Sequence, residues 1–214
     1  MPHLVRSWLP PLLLTLLAAA PPSSLAQPPD SPGTPLSAEE EWSLLEIRDF
    51  VQATADRYRM VAPLEVSLAS WVGPGGLPQY AASPAVYTRG TLYLNRQLLR
   101  ASNRDLVIAK ALAYEMLRAP SKATTIAERE RERAQLGRDS NAKAVDILVQ
   151  VRGLSEEAAV EEMYAWLLAI HRAALASAGP PAPGTVPACD AIADLVTRFP
   201  AVRARFAGRE CVPP

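Results

Sequence analysis

"GTLYLNRQLLRASNRDLVIAKALAYEMLRAP" runs from Gly90 to Pro120. Three regimes follow one another in it. Thr91, Leu92, Tyr93, Leu94 and Asn95 alternate in the manner of a strand, whose side chains point to opposite faces in turn. Arg96 to Leu99 reads as a short helix. Ser102, with Asp105 three residues on, has the spacing of a helix cap, and the helix it opens has to stop at Pro120, because the residue before proline is pushed out of the helical region.

Upstream, "AVYT" (Ala85–Thr88) with a turn at Arg89–Gly90 completes a hairpin with Thr91–Asn95. "LEVSLAS" (Leu64–Ser70) alternates and predicts a strand. "GPGG" (Gly73–Gly76) lacks the G-K-[ST] ending of a phosphate loop and contains Pro74, so it is read as a turn. Ser37 and Glu40 have capping-box spacing. They open a helix to about Tyr58, with Trp42, Leu45, Ile47, Phe50 and Val51 as candidate core residues.

Downstream, the charge run Glu128–Arg133 is expected to be a solvated helix face with opposite charges one turn apart. Ala144, Ile147, Leu148 and Val151 follow at helical spacing. Ser155 caps a long helix to about Ser177, "GPPAPGTVP" is a linker, and Asp190–Arg198 is a last helical segment. The fold class expected is α+β and mostly helical, with a small sheet or hairpin packed on a helical bundle. There is no internal repeat.

The chain opens with Arg6, an apolar run from Leu12 to Ala20 and the small-x-small pattern Ser24-Leu25-Ala26. That predicts a secretory signal peptide over residues 1–26 and export to the periplasm or the medium. Residues 27–36 are a Pro-rich tether expected to be disordered. The main domain is then 37–178, and 179–214 is a linker with a C-terminal helical segment. No later run has the roughly 18 apolar residues of a membrane span.

The whole chain has 22 basic and 22 acidic residues, and loses Arg6 with the signal. A balance this close to neutral offers no electrostatic case for nucleic acid or an anionic membrane. Cys189 and Cys211, in an oxidising compartment, are expected to pair as a disulfide, with two free thiols or a metal pair as the alternative.

The stretch "AYEMLR" (Ala113–Arg118) differs from H-E-x-x-H, the core of many zinc peptidases, at Tyr114 and Arg118. Together with the preceding strand and short helix, and with "NAKAVDILVQVRGLSEEAAVEEM" beyond it, the chain from Leu64 to Trp166 resembles the gluzincin peptidases of the CAAX-prenyl-protease and HtpX type. That family carries an edge strand before its site helix, and an E-x-x-A-D segment that runs into an apolar helix.

Carried over residue by residue, the first zinc histidine falls on Tyr114, the general-base glutamate on Glu115 and the second histidine on Arg118. The third ligand falls near Gly137, with Asp139 as a substitute, and the aspartate of that motif falls on Asn141. The resemblance also makes Thr91–Asn95 an edge strand able to bind a peptide by β-addition.

A catalytic zinc needs three protein ligands and an open position. The only histidine after the signal is His171, mid-helix, and without G-x-S-x-G it is no triad member. Bland readings stand beside these: Glu115 as an acid paired with Arg118 or with an arginine of residues 129–138, and Tyr114 as a packed aromatic. No cofactor or metal is implied. The reading favoured is a metal-free, peptidase-like pseudoenzyme of the bacterial envelope that binds protein or peptide. The alternatives are an atypical hydrolase that uses Glu115 with a carboxylate-held metal, and a structural envelope protein without a ligand groove. Oligomeric state is left open.

Overall fold

A computed structural model of the chain describes residues 35–60, 64–68, 85–88, 90–176 and 187–213. The expected signal, most of the Pro-rich tether, Gly73–Gly76, Arg89 and most of the second linker lie outside these residues.

The elements are α1 (Ala38–Tyr58), β1 (Glu65–Leu68), β2 (Ala85–Thr88), β3 (Thr91–Leu94), a 3-10 helix (Arg96–Arg100), α2 (Arg104–Leu117), α3 (Ile126–Arg152), α4 (Glu156–Ala176), α5 (Ala188–Arg198) and α6 (Pro200–Phe206). The molecule is α+β and mostly helical, with one three-stranded mixed sheet.

Helix α1 begins at the capping box read from the sequence. Ser37 Oγ accepts from the Glu40 amide, and the Glu40 carboxylate accepts from the Ser37 amide. Ile47, Phe50 and Val51 are buried as expected, but Trp42 and Leu45 are exposed. The buried stripe of α1 instead starts at Glu40 and Ser43. Arg96 and Arg100 pair with Glu40, and Arg104 donates to Ser43 Oγ. Polar partners from the next elements take the ground that an apolar count assigned to Trp42 and Leu45.

The hairpin forms between Ala85–Thr88 and Thr91–Leu94 in the register expected, with Gly90 at φ 85° in its turn. Such a φ strains any residue with a Cβ. The strand order is β1-β3-β2, with β1 parallel to β3. This corrects the expectation of an edge strand at Thr91–Asn95. Thr91, Leu92, Tyr93 and Leu94 lie in the middle strand, with Leu92 and Leu94 buried, and the backbone groups on both sides of that strand are engaged by β1 and β2. Asn95 is no strand residue: its side chain accepts from the Gln97 amide and starts the 3-10 helix.

Helix α2 starts one residue later than the Ser102 cap implied. Asn103 is its N-cap, without a side-chain capping bond. α3 has a capping box that the sequence reading passed over, with Thr125 as N-cap and Glu128 as its partner. Asp105 pairs with Arg152, Lys110 donates to Asn141, and Ser121 donates to Glu132. As the first member of each pair advances along the chain the second retreats, so α3 runs back antiparallel along α2. The charged first half of α3 is largely exposed, and Ala144, Ile147 and Leu148 are buried.

α5 and α6 do not stand apart as a separate unit. Ile192, Leu195, Val196, Val202 and Phe206 belong to the same buried cluster as Ile47, Leu112, Leu148 and Met163. The sequence reading omitted α6, whose start signal is Pro200 in its first turn.

Candidate functional site

Lys110 and Asn141 fix the level at which α2 and α3 cross-link. One turn further along α2 lies Tyr114, and one turn back along α3 lies Gly137. The antiparallel pair thus brings Tyr114 and Gly137, two of the positions expected from the resemblance to match ligands, to one end of the same interface. It does not bring their chemistry together.

Tyr114 is 40% exposed and Leu117 equally so. The Glu115 carboxylate is half-buried, and Arg118, at 3.6 Å, is its ion-pair partner at i,i+3. This is one of the two pairings expected from the sequence. Glu115 also faces the sheet. Tyr87 of β2 has its phenol pushed above its usual range, by burial first and then by the negative charge of Glu115.

Asp139 points elsewhere. It accepts from Gln135 and pairs with Arg198 of α5 at 2.7 Å. Asp194 pairs with that same arginine at 2.7 Å. A carboxylate so engaged has little charge to offer a cation. Asn141 is buried and accepts from Lys110, and Gly137 supplies only its carbonyl, to Ser140.

Lys110 is the most unusual ionisable group in this region. Its ammonium lies 4.5 Å from the centroid of the Trp166 ring and donates to Asn141. Burial depresses its pKa to about 8. Its stem and head thus join α2, α3 and α4 with one polar contact and one cation–π contact.

A second cluster is built from α4, α5 and the tail after α6. Cys189 and Cys211 form the disulfide expected from compartment and spacing, with Cα atoms 4.8 Å apart. His171 Nε2 is 3.5 Å from Cys189 Sγ. Among the described residues, the only group of three or more potential metal-ligating side chains is His171, Cys189 and Cys211. The sequence reading weighed His171 for a triad and the cysteines for a disulfide, and did not join them. The sequence separation of 18 between His171 and Cys189 gave no motif to find it by.

At the start of α3, Lys122, Ala123, Thr124, Glu128, Arg131 and Glu132 line a shallow, open depression of about 430 Å³. Glu128 already occupies the helix terminus there, accepting from the amides of Thr124 and Thr125. An anion site is thereby filled from within. Among the described residues no helix is long and apolar enough to cross a membrane.

Comparison with protein-family models, with curated proteins and with solved structures finds no match.

Proposed function

We propose that this chain is an exported, peptidase-like pseudoenzyme that binds protein or peptide without cleaving it. The observation that carries the reading is the outer face of α2. At the two positions where the resembled family has imidazoles stand a phenol and a guanidinium, and the guanidinium is paired with the one retained acid, Glu115. A catalytic zinc needs three protein ligands, and metal-assisted hydrolysis needs a bound water of lowered pKa, which one acid beside a phenol and a guanidinium does not supply. The hydrolase alternative would take Asp139 as a ligand, but Asp139 is committed to Arg198.

What α2 offers instead is a small contact surface. Tyr114 and Leu117 are large, exposed and apolar, and the Glu115–Arg118 pair flanks them. An aromatic anchor with a polar rim is the composition of protein interfaces. Backbone recognition by β-addition passes from β3 to the outer edges of β1 and β2, which are the terminal strands among those described.

The test is selection of peptides from a display library on the mature chain, followed by mass spectrometry of the bound peptide. Binding should fall on replacing Tyr114 and Leu117 by serine and survive Glu115→Gln, with the peptide recovered intact. Chelator-sensitive cleavage that disappears in Glu115→Gln would overturn the reading. Failure to retain any peptide would favour the purely structural alternative.

A further inference from the structure

We propose that His171, Cys189 and Cys211 form a redox-gated metal site, a disulfide when oxidised and, when reduced, a pocket of two thiolates and one imidazole for a zinc-class ion. The site is separate from the α2 face and does not depend on the function proposed for it.

Geometry comes first. One ligand atom from each of the three residues lies within 4.8 Å of the other two. Ligands ~2.0 Å (nitrogen) and ~2.3 Å (sulfur) from one tetrahedral zinc ion are roughly 3.5–3.8 Å apart. His171 Nε2 is already 3.5 Å from Cys189 Sγ, and breaking the disulfide frees the two sulfurs to part to that spacing. All three residues are half-buried, which leaves a reductant and an ion a way in.

The three ligands come from three places: His171 from α4, Cys189 from the first turn of α5, and Cys211 from the tail after α6. Opening a disulfide usually lets such parts separate. Here the tail is held to α4 by contacts that do not involve sulfur. Arg209 makes a two-pronged bond to Glu161, at 2.6 and 2.7 Å. Arg172 pairs with Glu210 at 2.7 Å, and Arg205 pairs with Glu157. Tyr164 donates to the Glu210 carbonyl, and its ring packs on Phe206. Val212, just past Cys211, is buried. α5 is anchored independently through Ala191, Ile192, Leu195 and Val196. Reduction therefore leaves the ligands near one another, as a pre-organised site requires.

The chemistry balances with a dithiol as reductant. Its thiolate attacks Cys211 Sγ, the Sγ–Sγ bond breaks, and Cys189 leaves as a thiolate beside His171. The second thiol of the reductant then displaces Cys211, so the reductant departs as a disulfide, oxidised by two electrons, and each cysteine sulfur gains one. A divalent ion that binds the pair displaces the two thiol protons. Two thiolates and one imidazole leave the fourth tetrahedral position open, which is the ligand count of a catalytic rather than a closed structural zinc site.

The experiment reduces the mature chain anaerobically with a phosphine and titrates it with Co²⁺, which reports sulfur ligation through its charge-transfer absorption, and then with Zn²⁺ in competition. Circular dichroism follows the helices throughout. The expected result is one Co²⁺ per reduced chain with sulfur-to-metal bands, displaced by Zn²⁺. Oxidised chain and Cys189→Ser should give no such bands. His171→Ala, which keeps the disulfide and the fold in the oxidised state, should weaken binding by at least about tenfold after reduction. Three results would overturn the proposal: no bands in a reduced chain that keeps its helices, equal affinity in His171→Ala, or loss of the helices on reduction alone.

Discussion

Glu115 and Glu40 are both glutamates paired with arginine, and their surroundings set them far apart. The Glu115–Arg118 pair spans 3.6 Å with both side chains in contact with water, Arg118 largely so. An exposed pair of this kind contributes roughly 0–1 kcal/mol. Glu115→Gln is therefore expected to shift the urea midpoint by less than ~1 kcal/mol equivalent, and a larger loss would mean that Glu115 supports the fold in a way its contacts do not show. Glu40 is buried and is held by Arg96, Arg100 and its own cap. Glu40→Ala should lower the melting temperature more than Glu115→Ala does.

Lys110 supplies the opposite sign at the residue scale. Its folded pKa of about 8 is below the value in an unfolded chain, because burial disfavours the ammonium. The unfolded state then binds more protons between the two values, and stability rises with pH there. The Tyr58 phenol opposes this only above about pH 10, its own pKa being raised by burial and by Asp146. Denaturation measured from pH 8 to 10 should show stability increasing, and Lys110→Met should remove the slope.

At the scale of elements, some caps and turns were legible, though the capping box of Thr125 with Glu128 was missed. Ser37 with Glu40, Ser155 and Gly90 each act locally, so residue type and spacing alone identify them. The hairpin of Ala85–Thr88 with Thr91–Leu94 was legible for the same reason. What could not be read was placement at a distance. Thr91–Leu94 alternates whether it is an edge or a middle strand, and only β1, more than 20 residues upstream, makes it the middle one. Trp42 and Leu45 have the spacing of a helix face, but three arginines beyond residue 95 draw Glu40 and Ser43 inward instead. The cap of α3 gives a direct test of the local part. Gly153 ends that helix at φ 69°, and a Cβ there would meet nothing within 4 Å. Gly153→Ala should therefore cost about 1–2 kcal/mol from backbone strain alone, with no steric term. A neutral result in thermal denaturation would show that the cap relaxes.

At the scale of the whole molecule, carboxylates tie together elements that apolar packing alone would leave free to shift. The carboxyl of Glu40 is held at about 2, first by the hydrogen bond from Arg96 and then by the Ser37 amide. That of Glu128 is held at about 2 by Thr124 and Thr125. Glu161 and Glu210 are depressed by their bonds to Arg209 and Arg172. In each case the folded pKa is below the unfolded one, so the stabilisation is complete above about pH 4.5 and is lost as pH falls towards 2. Acid should first weaken the attachment of α1 to the 3-10 helix and of the C-terminal tail to α4. The disulfide holds that same tail by a bond that does not titrate. Closing a loop of 22 residues stabilises the chain by ~3 kcal/mol through the unfolded state. The two restraints make a joint prediction. With the disulfide intact, the tail stays docked as pH falls from 4.5 to 3. In the Cys189→Ser, Cys211→Ser double variant it should release first. Hydrogen exchange of α6 against that of α3 reads the order: α6 should lose protection ahead of α3 in the double variant and together with it in the parent chain. Simultaneous loss in both proteins would mean that apolar packing of Phe206 and Val212, and not the ion pairs and the disulfide, decides how the C-terminus is held.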